Sequence, residues 1–371
     1  MNRLFGQVAW PDGSIRPGRV EYSDRISNLE VQSRAASDII IPGFIDLQVN
    51  GADWTGTSGI TFSIDVPAAT AEEIRRLAKQ LASEGTVAFL PTVITSGLDR
   101  IERADREIAR ARESQMADTL SAEATIVGGH VEGPFIAASR RGAHCAETLI
   151  PQGEALERIL ALQSTRLTTV APELPGALDA IAKLTARGVI VSLGHSEASL
   201  EQARAAVSAG ARMFTHLFNA MRPMGHRDPG IAAAALEHSS AFAALIPDSI
   251  HVHPAMLAIS VRARGADQII LTTDRRAIEI DPSMRLAGGA AWLTDGTLAG
   301  STITMLDGFR VMVEKAGVAI GDAARMAATN PATLLGLVDR GRIAPGARAD
   351  LIVVDHQLNL KTVIIGGIEI G

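Results

Sequence analysis

Val189-Ile-Val-Ser-Leu-Gly-His195 is one of eight short apolar segments along this chain that predict buried β-strands. Segments of this kind, rich in Val, Ile and Leu without strict alternation, are typical of parallel sheets that are covered on both faces. Most of the eight end in a residue able to bind a metal ion or to transfer a proton. They are Ile39–Gln48, Thr86–Thr92, Ala124–Glu132, Arg166–Glu173, Val189–His195, Met213–His216, Ala243–His251 and Gln268–Asp274.

Helical patterns lie between these segments, and the alternation predicts an α/β fold with a (β/α)8 barrel of the TIM type. Thr70-Ala-Glu-Glu73 has the form of a helix start, and Gly85 lies just past the apparent end of that helix. Strands that alternate with helices form parallel sheets with right-handed crossovers. In such a barrel the carboxyl ends of all eight strands meet on one face, where these enzymes carry out their chemistry.

The two ends of the chain predict a small second domain. Residues 1–38 are rich in β-forming residues interrupted by turn signals, and Asp350-Leu-Ile-Val-Val-Asp355 returns to a strand pattern near the other end. A lone hairpin at either end would be marginally stable, so we expect the ends to pair. The sequence therefore predicts a small β-sandwich domain from residues 1–41 and 339–371, beside a catalytic barrel at 42–338.

Composition excludes several classes of protein. Of 371 residues, 47% are hydrophobic and 20% are charged, and the net charge of −6 is spread along the chain, which argues against nucleic acid as a partner. No run approaches the roughly 18 apolar residues that span a membrane, and the N-terminus has no secretory signal pattern. Cys145 is the only cysteine, which fits a reducing compartment. We expect a cytoplasmic protein that acts on a small molecule.

Three strand ends supply a candidate metal site. Glu132, His195 and His216 follow the third, fifth and sixth segments. Taken singly, Glu132 reads equally well as a turn carboxylate, and each histidine as an inert buried ring. Together they match a catalytic zinc site, in which carboxylate and imidazole ligands leave positions open for water. Such an ion lowers the pKa of its water to about 7.

The last two segments and two loops add further candidates. Asp274 is either a helix cap or a general base beside the metal, and His251 is placed to polarise a substrate carbonyl. His253 precedes a proline and is interpreted as structural. Arg227 and the turn at Asn219-Ala220 offer a guanidinium and backbone N–H groups to an anion, although a solvated loop arginine is the simpler interpretation.

Six further motifs form a set along the chain. They are Pro42-Gly-Phe-Ile-Asp-Leu-Gln-Val-Asn-Gly51, His130-Val-Glu-Gly-Pro-Phe135, Arg141-Gly-Ala-His144, Leu193-Gly-His-Ser196, Thr215-His-Leu-Phe-Asn-Ala-Met221 and Ala299-Gly-Ser301. The set resembles the N-acetylglucosamine-6-phosphate deacetylase family, a branch of the metal-dependent amidohydrolase superfamily. The similarity runs from about residue 40 to the end, where Gly346–Asp355 is similar to the returning β-domain of the superfamily.

The resemblance implies hydrolysis of the acetamide of N-acetyl-D-glucosamine 6-phosphate, a step of amino-sugar catabolism, by a homodimer with one divalent ion, expected to be zinc, in each subunit. By position, Glu132, His195 and His216 would bind the ion, Asp274 would be the acid and base, and His251 would stabilise the tetrahedral intermediate. The implied contacts to the sugar phosphate are His144, Asn219, Ala220 and Arg227, the last reaching across from the neighbouring subunit.

The chain departs from the family at two places. Gln48 and Asn50 stand where many amidohydrolases have a His-x-His pair, and because amides bind zinc poorly we predict one ion rather than two. These amides would instead orient water or hold neighbouring groups. After Asp274, Arg275 and Arg276 replace the usual small or apolar residues. They would lower the pKa of Asp274, reshape the sugar pocket or point into solvent.

Alternative functions remain open at this level. The galactosamine epimer is a second possible substrate, since nothing in the sequence fixes recognition at C4 of the sugar. An amidohydrolase acting on a different amide, such as a cyclic ureide or an N-acyl amino acid, is a further alternative. A silent barrel used for assembly is disfavoured by the intact candidate residues Glu132, His195, His216 and Asp274. Cys145 as a nucleophile is the weakest interpretation.

Overall fold

The computed structural model describes six stretches of the chain. These are residues 1–33, 37–55, 61–118, 121–237, 240–277 and 283–370, and for residues 54, 55, 61 and 62 only the backbone is described. Residues 278–282, which belong to the unusual run after Asp274, lie outside the described part.

The secondary structure alternates strands and helices through the middle of the chain. The strands are β1 Asn2–Ala9, β2 Ile15–Tyr22, β3 Ile26–Val31, β4 Ile39–Pro42, β5 Phe44–Val49, β6 Gly51–Thr55, β7 Thr61–Asp65, β8 Thr86–Ile94, β9 Thr125–Ile126, β10 Gly129–Glu132, β11 Thr165–Val170, β12 Ile190–Leu193, β13 Met213–Phe214, β14 Phe242–Leu245, β15 Ile269–Leu271, β16 Met284–Ala287, β17 Ala290–Leu293, β18 Leu298–Ser301, β19 Leu351–Val354, β20 Leu360–Ile365 and β21 Ile368–Ile370. The α-helices are α1 Ala71–Ser83, α2 Leu98–Ala117, α3 Gly153–Leu160, α4 Ala177–Ala186, α5 Leu200–Ser208, α6 Gly230–Leu236, α7 Pro254–Arg264, α8 Met305–Arg310, α9 Ile320–Ala324 and α10 Asn330–Leu335.

Eight parallel strands form the barrel, which confirms the predicted fold class. Their order in the sheet is β5-β8-β10-β11-β12-β13-β14-β15, so each strand pairs with the next one in sequence apart from the short β6, β7 and β9. The interior and the helix-facing side are filled with apolar residues that are almost fully buried, as a parallel sheet covered on both faces requires. The carboxyl ends of the strands therefore gather on one face.

The observed strands differ from the predicted segments in length. Most are shorter, so that His195, His216, His251 and Asp274 lie two to six residues beyond the ends of their strands. The first predicted segment, Ile39–Gln48, is in fact two strands, because the chain passes from the terminal sheet into the barrel at Gly43. A Cβ atom at Gly43 would lie 2.3 Å from Cγ1 of Val87, so only glycine fits this crossing.

Both ends of the chain pair in one seven-stranded sheet, as predicted. Its strand order is β21-β20-β19-β4-β1-β2-β3, with β4 joined in parallel to β1 and antiparallel to β19. The sheet has a core of its own, built around Val8, Val20, Ile40 and Leu351. We propose the domain limits 1–41 and 339–371 against 42–338, because β4 is the last strand of the terminal sheet before the barrel begins.

The helices cover the outside of the barrel. The predicted start of α1 at Thr70 is observed, and the Thr70 side chain and Glu73 form a reciprocal capping box. Among the described helices α2 is the longest, with 20 residues. None of the described helices is both long and apolar enough to cross a lipid bilayer.

A buried carboxylate closes the barrel between its first and last strands. No continuous ladder joins β5 and β15 in the described residues. A single bridge pairs Val49 with Arg275, and Asp46 on β5 spans the rest of the gap. Its Oδ1 accepts hydrogen bonds from the Thr272 hydroxyl at 2.7 Å and the Thr273 N–H at 3.2 Å, and its Oδ2 accepts one from the Thr273 hydroxyl at 2.5 Å. Burial raises the pKa of Asp46 and outweighs the opposing effect of these hydrogen bonds.

We predict that Asp46→Ala lowers the free energy of unfolding of the metal-free protein by about 3 kcal/mol, because it leaves several buried donors unpaired. Chemical denaturation would measure the change. Asp179→Ala is the matched control, since Asp179 pairs with Lys183 at the surface and should contribute less than about 1 kcal/mol. Equal effects of the two substitutions would contradict the closing role of Asp46.

Candidate active site

All of the predicted site residues except Arg227 come together at the carboxyl face of the barrel, and several are held in an unusual backbone conformation. His195, His216, Ala220 and Asp274 have φ angles of 50°, 28°, 49° and 50°. Only seven non-glycine residues of the described chain have positive φ, and four of them are these candidates. Left-handed backbone of this kind is costly for L-residues and collects at functional sites, so the conformation supports the assignment independently of residue type.

Glu132, His195 and His216 place three ligand atoms in a compact triangle. Oε1 of Glu132 lies 3.1 Å from Nε2 of His195 and 3.0 Å from Nε2 of His216, and the two nitrogens are 3.1 Å apart. Ligands that hold zinc at about 2.0–2.1 Å in a tetrahedron stand somewhat over 3 Å from one another. The spacing and the donor set, one carboxylate and two imidazoles, therefore suit one divalent ion.

The tautomer of His195 agrees with this role. Its Nδ1 lies 2.8 Å from the carbonyl oxygen of Arg140, and a carbonyl only accepts, so the proton of the neutral ring is on Nδ1. This leaves the Nε2 lone pair directed toward Glu132. A metal-binding histidine commonly donates its other ring N–H to a backbone carbonyl in this way. Nδ1 of His216 is buried and has no partner among the described residues.

His144 lies close enough to belong to a second possible ligand set. Ligand atoms of Glu132, His144 and His195 are all within 4.8 Å of one another. However, Nδ1 of His144 faces the backbone N–H of Thr95 at 3.3 Å, and an N–H only donates. The proton of the neutral His144 ring is therefore on Nε2, which lies 3.4 Å from Oε2 of Glu132. His144 is thus arranged to donate to the carboxylate rather than to bind an ion.

The charge of Glu132 is compensated by these imidazoles. Burial opposes ionisation, but the imidazoles of His144, His195 and His216 around the carboxylate outweigh it and hold the pKa of Glu132 well below its usual range. Burial, followed by the neighbouring His195, lowers the pKa of His144 to about 4. At neutral pH the site therefore presents an ionised carboxylate beside a neutral His144, as a cation site requires.

Asp274 is held by the two amides that replace the usual histidine pair. Its Oδ1 accepts hydrogen bonds from Nδ2 of Asn50 at 2.6 Å and Nε2 of Gln48 at 3.0 Å, and the same nitrogen of Gln48 donates to Oε1 of Glu132 at 2.9 Å. Oδ2 of Asp274 has no partner among the described residues. Burial, followed by the negative charge of Glu132, raises the pKa of Asp274 to about 6. A carboxyl group of this kind is suited to exchanging protons near neutral pH.

His251 is oriented by a residue to which the sequence analysis gave no role. Nδ1 of His251 lies 2.5 Å from Oδ2 of Asp248, whose other oxygen accepts the backbone N–H groups of Ile250 and His251. The sequence signal that could have indicated this role is the position of Asp248, three residues before His251. His253, by contrast, is exposed and caps α7 by accepting the N–H of Ala255, which agrees with its structural interpretation.

His130 is a buried histidine of the barrel that has no role in the site. It lies two residues before Glu132 on β10, yet its ring is fully buried with Nδ1 3.2 Å from the Leu47 carbonyl and Nε2 2.9 Å from the Thr169 hydroxyl. Burial lowers its pKa to about 4. Both ring nitrogens are occupied, so His130 stabilises the barrel interior and takes no part in the site.

A cavity of about 300 Å³ opens above these groups, within the size range of small-molecule sites. Among its lining residues are the predicted Glu132, His144, His195, His216, Asn219, Ala220, His251 and Asp274. The Ala220 N–H has no partner among the described residues and is free for a ligand. Arg227 is exposed on the surface and does not line the cavity of its own chain. Arg276 does line it.

Comparisons with known proteins agree with this geometry. The model of the amidohydrolase family matches residues 39–369. The N-acetylglucosamine-6-phosphate deacetylase of Lysinibacillus sphaericus is 33% identical over 91% of this chain and 86% of its own. The N-acetylgalactosamine-6-phosphate deacetylase of Escherichia coli O157:H7 is also 33% identical, over 98% of this chain and 97% of its own.

A solved structure is similar over almost its whole length. A variant of the N-acetyl-D-glucosamine-6-phosphate deacetylase of Mycobacterium smegmatis, in complex with N-acetyl-D-glucosamine-6-phosphate, matches with a TM-score of 0.87 and 32% identity. The match covers 99% of this chain and 98% of that one.

We predict that Glu132→Gln and His216→Asn each reduce bound zinc from about one ion per chain to well below half, because each removes a ligand. Elemental analysis of purified protein would measure the content. His144→Asn should keep its zinc, since His144 acts as a donor to Glu132, and His253→Asn controls for loss of any histidine. Normal zinc in His216→Asn together with loss in His144→Asn would show that His144 is the third ligand.

Proposed function

Because the chain belongs to the amidohydrolase family and groups with its N-acetylglucosamine-6-phosphate deacetylases, we propose that it hydrolyses N-acetyl-D-glucosamine 6-phosphate to glucosamine 6-phosphate and acetate, in amino-sugar catabolism. The observation that carries this proposal is the placement of Asp274 beside the Glu132, His195 and His216 triangle, at the bottom of one cavity. A metal-binding set next to a carboxyl group with a pKa near neutrality is the arrangement that amide hydrolysis by water needs.

Glu132, His195 and His216 would hold one divalent ion, which we propose to be zinc. When bound, the ion supplies a Lewis acid for the acetyl carbonyl and lowers the pKa of a water molecule. Gln48 and Asn50 support a single ion, because both amide nitrogens donate hydrogen bonds to Asp274 or Glu132 and so turn their N–H groups toward the site. An N–H group cannot serve as a metal ligand.

Asp274 would remove the proton from the attacking water and deliver it to the departing nitrogen. Oδ1 is fixed by Gln48 and Asn50, which leaves Oδ2 as the oxygen that takes up and releases the proton. Without its proton the carboxylate activates water, and with it the carboxylic acid protonates the leaving amine. A pKa near 6 in the metal-free site allows both forms to be reached, and a bound cation would shift it downward.

His251 would donate a hydrogen bond from Nε2 to the acetyl oxygen as negative charge develops there. Its Nδ1 proton is already directed to Asp248, so donation from Nε2 requires a ring that carries both protons. The buried Asp248 carboxylate compensates that positive charge. Hydrogen-bond donors placed where charge develops are commonly the largest single contribution to such catalysis.

The remaining sugar contacts would come from His144, Asn219 and Ala220, which line the cavity, and from Arg227 of a second subunit. Arg227 supports a homodimer because it is exposed and lies outside the cavity of its own chain. A phosphorylated sugar and a chain with one cysteine both fit the cytoplasm as the site of action.

The galactosamine epimer is the second candidate. The relative named for that substrate is as similar to this chain, at 33% identity, as the relative named for the glucosamine epimer. The two sugars differ only in the configuration at C4, so the reaction and its catalytic groups would be the same.

We predict that the zinc-loaded protein releases acetate from N-acetylglucosamine 6-phosphate, and that chelation abolishes release until zinc is restored. The galactosamine epimer and both unphosphorylated sugars are tested beside it, with acetate measured by a coupled assay. The ratio of rates for the two phosphorylated epimers identifies the physiological sugar. Absence of release from all four sugars, in protein shown to contain zinc, would refute the proposed function.

We further predict that Asp274→Asn lowers kcat by at least about a thousandfold without loss of zinc, because no group remains to move the proton. Asn50→Leu should retain activity but shift the acid limb of kcat/KM to higher pH. The hydrogen bond from Asn50 favours the charged form of Asp274, so its removal raises the pKa and more acid-inactivated enzyme is present at a given pH. Asn359→Leu, at an exposed amide, is the control and should leave the pH dependence of kcat/KM unchanged. If Asn50→Leu also left it unchanged, the assignment of Asp274 as the base would be wrong.

A further inference from the structure

The two arginines after Asp274 have opposite surroundings. Arg275 is buried, and its Nη1 pairs with Oε2 of Glu84 at 2.5 Å. Its carbonyl accepts the backbone N–H groups of Asn50 and Gly51, so the residue ties the end of β15 to the end of β5. Arg275 is therefore a structural residue of the barrel closure.

Arg276 instead turns into the substrate cavity. It is half-buried, and it lines the same cavity as Asp274, His251 and Asn50. Among the residues that the structure describes, its guanidinium makes no hydrogen bond and no ion pair. The other arginine of the cavity wall, Arg140, is already neutralised by Glu197, whose Oε1 lies 2.5 Å from Nε. Within the described part of the chain, Arg276 thus has no ion-pair partner at the place where the substrate would bind.

The stem of Arg276 is held in place by the strand that follows. The Arg276 N–H donates to the Ser301 carbonyl at 3.0 Å. Gly300 lies against the stem, and a Cβ atom there would stand 2.9 Å from Cγ and 3.0 Å from Cδ of Arg276. With its backbone fixed and its aliphatic part packed against Gly300, the arginine loses less conformational entropy on binding a ligand than a free surface arginine would.

An unpaired guanidinium in a partly desolvated cavity recognises anions. Its five N–H donors match the geometry of phosphate and carboxylate, and an arginine keeps its charge at any pH that the protein would meet. The proposed substrate is itself an anion, and the other arginine predicted to meet it, Arg227, does not line the cavity of its own chain.

We infer that Arg276 is a substrate-binding residue that pairs, within its own chain, with an anionic group on the bound amino sugar. This inference rests on the proposed sugar substrate. The anionic group has two possible sources with the same chemistry: the 6-phosphate, or an acidic substituent elsewhere on the ring such as a carboxylate carried on O3. Arg276 then determines which hexosamines the site accepts.

The experiment is calorimetric titration of the zinc-loaded protein with three amino sugars that lack the acetyl group and so cannot turn over. Glucosamine is the reference without an acidic group, glucosamine 6-phosphate carries the phosphate, and muramic acid carries a carboxylate on the substituent at O3. Each is titrated into the wild-type protein, Arg276→Gln and Arg276→Lys. Arg204→Gln is the control for loss of a positive charge, because Arg204 pairs with Glu237 on the surface.

We expect Arg276→Gln to weaken binding of one of the two acidic sugars by roughly tenfold to a hundredfold, the range of a charge-assisted hydrogen bond, while binding of glucosamine changes less than about twofold. Arg276→Lys should recover part of the loss, since it restores charge without the planar donor pair. A selective loss with glucosamine 6-phosphate assigns the 6-phosphate, and one with muramic acid assigns a second acidic group.

Equal loss for all three sugars, or no loss for any, would overturn the inference, provided that the melting temperatures show the variants to be folded. The outcome does not depend on catalysis. A protein that released no acetate, but whose binding of an acidic sugar required Arg276, would refute the proposed reaction and keep the anion site.

Discussion

The buried carboxylate of Glu132 is the constraint around which the face of the barrel is arranged. A charge removed from water must be compensated by hydrogen bonds or by a cation. Glu132 is met by Gln48, His195 and His216 on one oxygen and by His144 on the other. These partners come from four other strand ends or loops, so a single charge fixes the relative positions of segments far apart in sequence.

Gln48 and Asn50 show how this arrangement differs from one built on a histidine pair. Both amides donate to Asp274, and Gln48 also donates to Glu132, so two carboxyl groups of like charge are linked through one N–H₂ group. The amides therefore reduce the electrostatic repulsion between Glu132 and Asp274, as a second cation would, but they add no charge. The pKa of Asp274 nevertheless rises, because hydrogen bonds offset burial only in part.

The fold could be predicted from the sequence because its signals are local. Apolar segments separated by helical patterns define the barrel, and Thr70 with Glu73 marks the start of a helix by its own side-chain chemistry. The three candidate ligands were predictable for a related reason: each lies at the end of a strand or two residues beyond it, and all strand ends meet on one face. The same reasoning could not separate Ile39–Pro42 from Phe44–Val49, because both are apolar and the break depends on the contact between Gly43 and Val87.

What the sequence could not supply were contacts between side chains distant in the chain. That Asp46 closes the barrel depends on Thr272 and Thr273, more than 220 positions away. Arg275 and Arg276 make the same point at adjacent positions. Neighbours at a strand end point to opposite sides, so one guanidinium meets Glu84 behind the sheet and the other enters the cavity. Residue type alone cannot distinguish these two arginines. Arg275 is structural because its side chain meets Glu84, whereas Arg276 points the other way and remains available to a ligand.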